Sequence, residues 1–101
     1  MEKLKNYING ILTTPYSNNY LNNYDPSTGE VFTMIPDSGE QDVQLAVESA
    51  EKAFPKWSLF SAEQRADHIY RIAELLKRDL EKFAIAESMD NGKPVWLAKA
   101  V

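Results

Sequence analysis

The sequence predicts an α+β fold in which short N-terminal β-strands are followed by three to four amphipathic helices. Short aromatic or β-branched runs occupy residues 7–35, and apolar residues then recur at the 3.6-residue period of a helix. The chain has 101 residues, of which 44% are hydrophobic and 26% charged. This length and composition are typical of one small globular unit with a modest core.

Three short strands are predicted in the N-terminal third, over residues 7–12, 20–24 and 31–35. The last two flank the sequence DPSTGE at residues 25–30. There Pro26 presets φ for a turn, and Gly29 can adopt positive φ at its exit. This pattern predicts a hairpin formed by the second and third strands.

The first helix is predicted to begin at Ser38, because Gln41 follows it at the spacing of a capping box. Pro55 is expected to end this helix near its last turn. The apolar positions between them fall on one face of the helix: Val43, Ala46, Val47, Ala50, Ala53, Phe54 and Trp57.

A second helix is predicted to begin at Ser61, which has Gln64 at capping-box spacing. It is either long or broken near Asp79, which could cap a third helix. Gly92 is expected to end that helix in a left-handed conformation, and Pro94 to lie in the first turn of a fourth. The second stripe of apolar positions is Ala66, Ile69, Ala73, Leu76, Leu80, Phe83 and Ala84.

Charge and composition exclude several classes of function. Eleven basic and fifteen acidic residues give a net charge of −4, which disfavours binding to nucleic acid or to an anionic membrane. The absence of cysteine excludes disulfides, cysteine-ligated zinc and a thiolate nucleophile within this chain. No apolar run has the length of a signal peptide or a membrane span, so a cytoplasmic location is expected.

The residues alone predict no active site. His68 is the only histidine, and its neighbours one helical turn away supply no carboxylate or second imidazole for a metal. A small serine hydrolase would need a base beside Ser38 or Ser61, and both serines are already explained as helix caps. The scattered glycines form no nucleotide-binding loop.

Several segments together resemble the NAD(P)-dependent aldehyde dehydrogenases across almost the whole chain. They are residues 7–10 (YING), 24–31 (YDPSTGEV), 50–57 (AEKAFPKW), 65–76 and 86–94 (AESMDNGKP). The YDPSTGEV, AFPKWS and AES stretches are most similar to the branch that oxidises 2-aminomuconic or 2-hydroxymuconic semialdehyde. The resemblance implies that residues 1–101 are the N-terminal, incomplete part of the coenzyme-binding region in the family's α/β fold.

The resemblance also implies an activity for the full-length protein. Such an enzyme oxidises an aldehyde to a carboxylic acid through a cysteine-bound thiohemiacetal, with NAD or NADP as cofactor, and is expected to be a homo-oligomer. The family's catalytic cysteine and glutamate, oxyanion asparagine and cofactor-binding lysine would follow residue 101. Glu87 and Lys93 do not match them, so we expect no catalytic or cofactor-binding residues in this chain, which alone should bind no cofactor and be inactive.

One site carries over from the family to this chain. Some relatives bind a monovalent cation through the main-chain carbonyls that correspond here to Asn23 and Tyr24, with further ligands from later in the chain.

An alternative interpretation is a small helical interaction module that binds a protein partner through its apolar faces. If the chain is instead the N-terminal part of an aldehyde dehydrogenase, as the resemblance implies, those faces would pack against parts of the enzyme that this chain does not contain.

Overall fold

The computed structural model describes residues 1–100. Within them, short strands precede four helices. The strands are β1 (Glu2–Lys3), β2 (Asn6–Ile8), β3 (Ile11–Thr13), β4 (Tyr20–Tyr24) and β5 (Val31–Pro36). The helices are α1 (Glu40–Ser58), α2 (Ala62–Arg78), α3 (Leu80–Asn91) and α4 (Val95–Lys99). No helix in the described part of the chain has both the length and the apolar character needed to cross a membrane.

The chain divides into two compact units. The first comprises Met1–Asn23 and Val31–Leu59, and the second comprises Tyr24–Glu30 and the chain from Phe60 onwards. The first unit therefore holds α1 and the strands apart from Tyr24, the last residue of β4, whereas the second holds Tyr24, the turn between β4 and β5, and α2, α3 and α4. The predicted order of strands followed by helices is confirmed.

The three-stranded sheet of the first unit has the order β1-β5-β4. β1 runs parallel to β5, with Glu2 opposite Thr33. The strands predicted over 20–24 and 31–35 are found as β4 and β5. β1 was not predicted, because two polar residues carry no strand pattern and become a strand only through pairing with β5.

The strand predicted over residues 7–12 is wrong, because the chain reverses in the middle of it. β2 and β3 pair antiparallel across a two-residue turn, with Ile8 opposite Ile11. The turn residues Asn9 and Gly10 have φ of +54° and +76°. Positive φ at both positions suits a hairpin of this length, and Asn-Gly is its strongest sequence signal.

The first helix begins one residue later than predicted. Its N-cap is Gly39, and the carboxylate of Asp42 accepts the Gly39 amide at 3.0 Å. The predicted capping role of Ser38 is therefore wrong: its hydroxyl accepts a hydrogen bond from the Asn6 side chain at 2.8 Å. Pro55 lies in the last turn of α1, which ends three residues later.

The start of α2 is as predicted. The Ser61 hydroxyl accepts the Gln64 amide at 3.1 Å, and the Gln64 side chain accepts the Ser61 amide at 2.9 Å. α2 ends at Arg78, so the break near Asp79 is confirmed. The predicted capping role of the Asp79 side chain is wrong, because its carboxylate binds the Arg78 guanidinium at 2.8 Å and makes no cap hydrogen bond.

The end of α3 is also as predicted. Gly92 is left-handed, with φ of +80°, and its amide donates to the Ser88 carbonyl at 2.9 Å. Pro94 occupies the N-cap of α4, one position before the predicted first turn, and its carbonyl accepts the amides of Leu97 and Ala98 at 3.0 Å.

Few side chains are fully buried. In the described residues, Ala84 is the buried hydrophobic residue at 2% exposure, and Pro15 is also fully buried. Thr33 and Asp42 are buried polar residues. The predicted apolar faces are largely exposed, and their large members include Val43, Val47, Phe54, Trp57, Ile69, Leu76 and Phe83. These helices therefore bury little of the surface that normally stabilises an amphipathic helix.

Candidate functional site

The two residues expected to offer carbonyls to a cation stand at the end of β4. Asn23 is half-buried, and its side-chain amide donates to the Thr33 hydroxyl at 3.2 Å. Tyr24 is the last residue of the strand, with an exposed side chain. No group of three or more His, Asp or Glu side chains in residues 1–100 could hold a metal. Cation binding by the main-chain carbonyls of Asn23 and Tyr24 stays a prediction.

The turn after Tyr24 is held by local hydrogen bonds. The Asp25 carbonyl accepts the Gly29 amide at 2.7 Å, and its carboxylate accepts both the amide and the hydroxyl of Ser27, at 2.8 and 2.7 Å. The Ser27 hydroxyl is the main cause that lowers the pKa of Asp25. Both ends of the turn also pair, since the Asp25 amide donates to the Glu30 carbonyl at 2.9 Å.

The DNGKP stretch forms a polar cluster at the C-terminus of α3. Lys93 Nζ lies 2.8 Å from the Glu87 carboxylate, and the Asn91 side chain accepts the Lys93 amide at 2.8 Å. The Lys93 side chain is the main cause that lowers the pKa of Glu87. This arrangement ties the residues after the helix to its last turn. Glu87 and Lys93 therefore form an ion pair at the end of α3, and the expectation that neither is a catalytic group stays a prediction.

The histidine and serine residues considered for catalysis also have structural partners. His68 Nδ1 lies 2.9 Å from the Gln64 carbonyl, one helical turn earlier, and its ring stacks on Phe60 with centroids 5.9 Å apart. The Ser61 hydroxyl caps α2, and the Ser38 hydroxyl binds Asn6. The expectation that neither serine is a nucleophile stays a prediction.

Asp42 is the polar residue that sequence reasoning missed. It is 6% exposed, and one carboxylate oxygen accepts the Tyr16 amide at 2.9 Å while the other accepts the Gly39 amide at 3.0 Å. An open cavity of about 270 Å³ lies beside it, with Ile8 and Lys52 among its lining residues. The available signal was the acidic residue at the third helical position after Gly39, which is the spacing of a capping interaction.

Known proteins that resemble this chain are aldehyde dehydrogenases. The 2-aminomuconic semialdehyde dehydrogenases of Bos taurus and Homo sapiens are 46% and 44% identical over 98 residues, which is 97% of this chain. The crystal structure of an aldehyde dehydrogenase from Bartonella henselae matches 97% of it, with a TM-score of 0.92 and 30% identity. A betaine aldehyde dehydrogenase mutant from Staphylococcus aureus, in complex with NAD+, matches 96% with a TM-score of 0.90 and 27% identity.

These matches cover only part of the known proteins. The chain spans about one fifth of the length of the curated relatives, and 20% to 21% of the two solved chains. The aldehyde dehydrogenase family profile, in turn, matches residues 13–100, which is most of this chain. The chain therefore belongs to the aldehyde dehydrogenase family.

Proposed function

We propose that this chain is the N-terminal structural segment of an NAD(P)-dependent aldehyde dehydrogenase and forms part of its coenzyme-binding region. The family match over residues 13–100 carries this proposal. The exposed apolar faces of α1 and α2 support it, because such faces are stable when other elements of a larger fold cover them. On this proposal the segment scaffolds the enzyme and the catalytic groups lie elsewhere.

The whole protein is proposed to oxidise an aldehyde to a carboxylic acid. Muconic semialdehydes are the favoured substrate class, because four relatives at 43% to 46% identity carry the name 2-aminomuconic semialdehyde dehydrogenase. The S. aureus betaine aldehyde dehydrogenase with NAD+ bound supports NAD or NADP as the cofactor. We expect a homo-oligomer, as the family resemblance implies.

The chain alone is proposed to be inactive. A thiohemiacetal forms when a thiolate attacks the aldehyde carbon, and this sequence contains no cysteine. The hydroxyls of Ser38 and Ser61 are engaged with Asn6 and Gln64, and neither has a neighbouring base among its hydrogen-bond partners. A purified 101-residue chain should therefore reduce neither NAD nor NADP with any aldehyde.

A segment exchange tests the scaffold role. The matching 98 residues of the bovine 2-aminomuconic semialdehyde dehydrogenase are replaced by those of this chain, at 46% identity. We expect a folded chimera that keeps most of the parent's kcat, because the catalytic groups are retained. A matched chimera with Gly92→Val should give less soluble enzyme, since valine disfavours positive φ. A wild-type chimera that folds but has lost its activity would contradict a purely structural role.

A second candidate function is a small helical interaction module, which the exposed stripes of α1 and α2 favour. The two candidate functions predict native proteins of different mass. An antibody against residues 1–101 should detect a species about five times heavier than this chain if the proposed enzyme is correct. A native species with the mass of this chain alone would instead favour the interaction module.

A further inference from the structure

We propose that the turn between β2 and β3 is a site of spontaneous deamidation, at Asn9, and that the second Asn-Gly pair of the chain, at Asn91, is protected by the fold. In an Asn-Gly pair the glycine nitrogen can attack the asparagine side chain with little hindrance, because glycine has no Cβ. The chain contains two such pairs, Asn9-Gly10 and Asn91-Gly92. The two pairs differ in whether the glycine nitrogen and the asparagine side chain, the two groups that react, are hydrogen-bonded.

The reaction needs water and no other reagent. The Gly10 backbone nitrogen bonds to Cγ of Asn9 and loses its proton, the Cγ–Nδ2 bond breaks, and ammonia leaves with that proton. Water then opens the resulting five-membered imide at either of its two carbonyls. One opening gives aspartate at position 9, and the other gives isoaspartate, in which the main chain passes through the former side chain. Either product adds one negative charge to the net charge of −4.

At Asn91 both reacting groups are engaged. The attacking nitrogen would be that of Gly92, whose amide donates to the Ser88 carbonyl at 2.9 Å at the end of α3. The Asn91 side-chain oxygen accepts the Lys93 amide at 2.8 Å, and its nitrogen lies 3.5 Å from the Glu87 carboxylate. Attack at this pair therefore requires the cap of α3 to open first.

At Asn9 the reacting groups are accessible. Asn9 and Gly10 are exposed at the tip of the hairpin, and within residues 1–100 neither the Asn9 side chain nor the Gly10 amide makes a hydrogen bond. Asn9 must leave its left-handed conformation, φ +54°, before the ring can close. Leaving it opens the exposed two-residue turn, but within the described residues it breaks no hydrogen bond of the Asn9 side chain or the Gly10 amide.

The structural consequence falls on β2 and β3. A two-residue hairpin turn requires positive φ at both positions, and isoaspartate lengthens the main chain within that turn. The register that pairs Ile8 with Ile11 and Asn6 with Thr13 can then no longer be maintained. Deamidation at Asn9 would therefore loosen the hairpin as well as change its charge.

Peptide mapping by mass spectrometry tests the proposal. The folded chain is incubated at mildly alkaline pH, and the mass gain of about one dalton is followed in the peptides that hold Asn9 and Asn91. We expect Asn9 to react about five- to thirtyfold faster, the range expected when one or two hydrogen bonds must open at the slower site. Equal rates, or a faster reaction at Asn91, would overturn the proposal.

Two controls separate the fold from the local sequence. In denaturant both pairs should react at rates within about twofold of each other, because the hydrogen bonds at Asn91 are then lost. If the folded ratio persists in denaturant, the protection does not come from the structure. Lys93→Pro removes the amide that holds the Asn91 side chain, and it should raise the rate at Asn91 while leaving that at Asn9 unchanged.

Discussion

Gly92 lies against the ring of Pro26, so that a Cβ added at Gly92 would stand 3.1 Å from Pro26 Cγ. Both residues belong to the second unit, where the turn between β4 and β5 meets the C-terminus of α3. The close approach comes in addition to the left-handed φ of +80°. Backbone conformation and packing therefore both favour glycine at position 92.

Gly92→Ala should lower the free energy of unfolding by about 1–2 kcal/mol, because alanine is strained at positive φ and its methyl displaces Pro26. Gly29→Ala is the matched control, since Gly29 has φ of +73° but nothing within 4 Å of an added Cβ. Gly29→Ala should lower the free energy of unfolding only by the cost of placing alanine at positive φ, about 1 kcal/mol. Equilibrium urea unfolding measures both, and equal losses would show that the contact with Pro26 contributes nothing.

Sequence predicted the elements whose determinants are local. The cap of α2 depends on Ser61 and Gln64, and the end of α3 depends on Gly92, so both could be predicted from residues a few positions apart. Some of the errors fall where a distant partner decides, whereas the hairpin at Asn9-Gly10 was missed although its signal is local. β1 exists through its pairing with β5, and the start of α1 depends on a buried carboxylate at Asp42 that also binds Tyr16.

The candidate site could be predicted only in part. The residues indicated that Ser61 was a cap and that His68 had no metal-ligand pattern, and the structure gives both structural contacts. The aldehyde dehydrogenase family was identified by resemblance, because the residues alone predicted no active site. The paired Asn91 and Lys93 beside Glu87 could not be anticipated, since their hydrogen bonds depend on the left-handed turn at Gly92.

Asp42→Ala should destabilise the first unit by about 2–4 kcal/mol, because it leaves the amides of Tyr16 and Gly39 without their acceptor. Asp42→Asn should cost less, since one amide oxygen can still accept one of the two. Glu40→Ala is the control, as it removes an exposed acidic residue from the same helical turn. Urea unfolding of the three variants measures the difference, and similar losses for Asp42→Ala and Glu40→Ala would refute a bridging role for Asp42.

Ser61→Ala should destabilise the chain more than Ser38→Ala does. Loss of the Ser61 hydroxyl removes the N-cap of α2, which costs about 1 kcal/mol, whereas the Ser38 hydroxyl makes only one exposed hydrogen bond, to the half-buried Asn6 side chain. The second loss should be within about 0.5 kcal/mol of zero, as for other surface substitutions. Thermal unfolding followed by circular dichroism compares the two serines. A larger effect at Ser38 would restore the original expectation that it caps α1.

Lys93→Met should raise the pKa of Glu87 towards the ordinary value of about 4.3 for a glutamate. The Lys93 ammonium lies 2.8 Å from the Glu87 carboxylate and is the main cause of its lowered pKa. A pKa that is lower in the folded than in the unfolded chain gives stability that is present above about pH 4.3 and is lost as the pH falls through the folded value.

The destabilisation caused by Lys93→Met should therefore be larger at neutral pH than under acidic conditions in which Glu87 is protonated in both states. Lys77→Met is the control: it removes a cation from the last turn of α2 that does not contribute to the Glu87 shift, so it should leave this pKa unchanged. NMR titration of the Glu87 carboxyl carbon measures the shift, and urea unfolding at the two pH values measures the stability. If Lys93→Met lowers the free energy of unfolding equally at both pH values, the ion pair does not stabilise the C-terminus of α3.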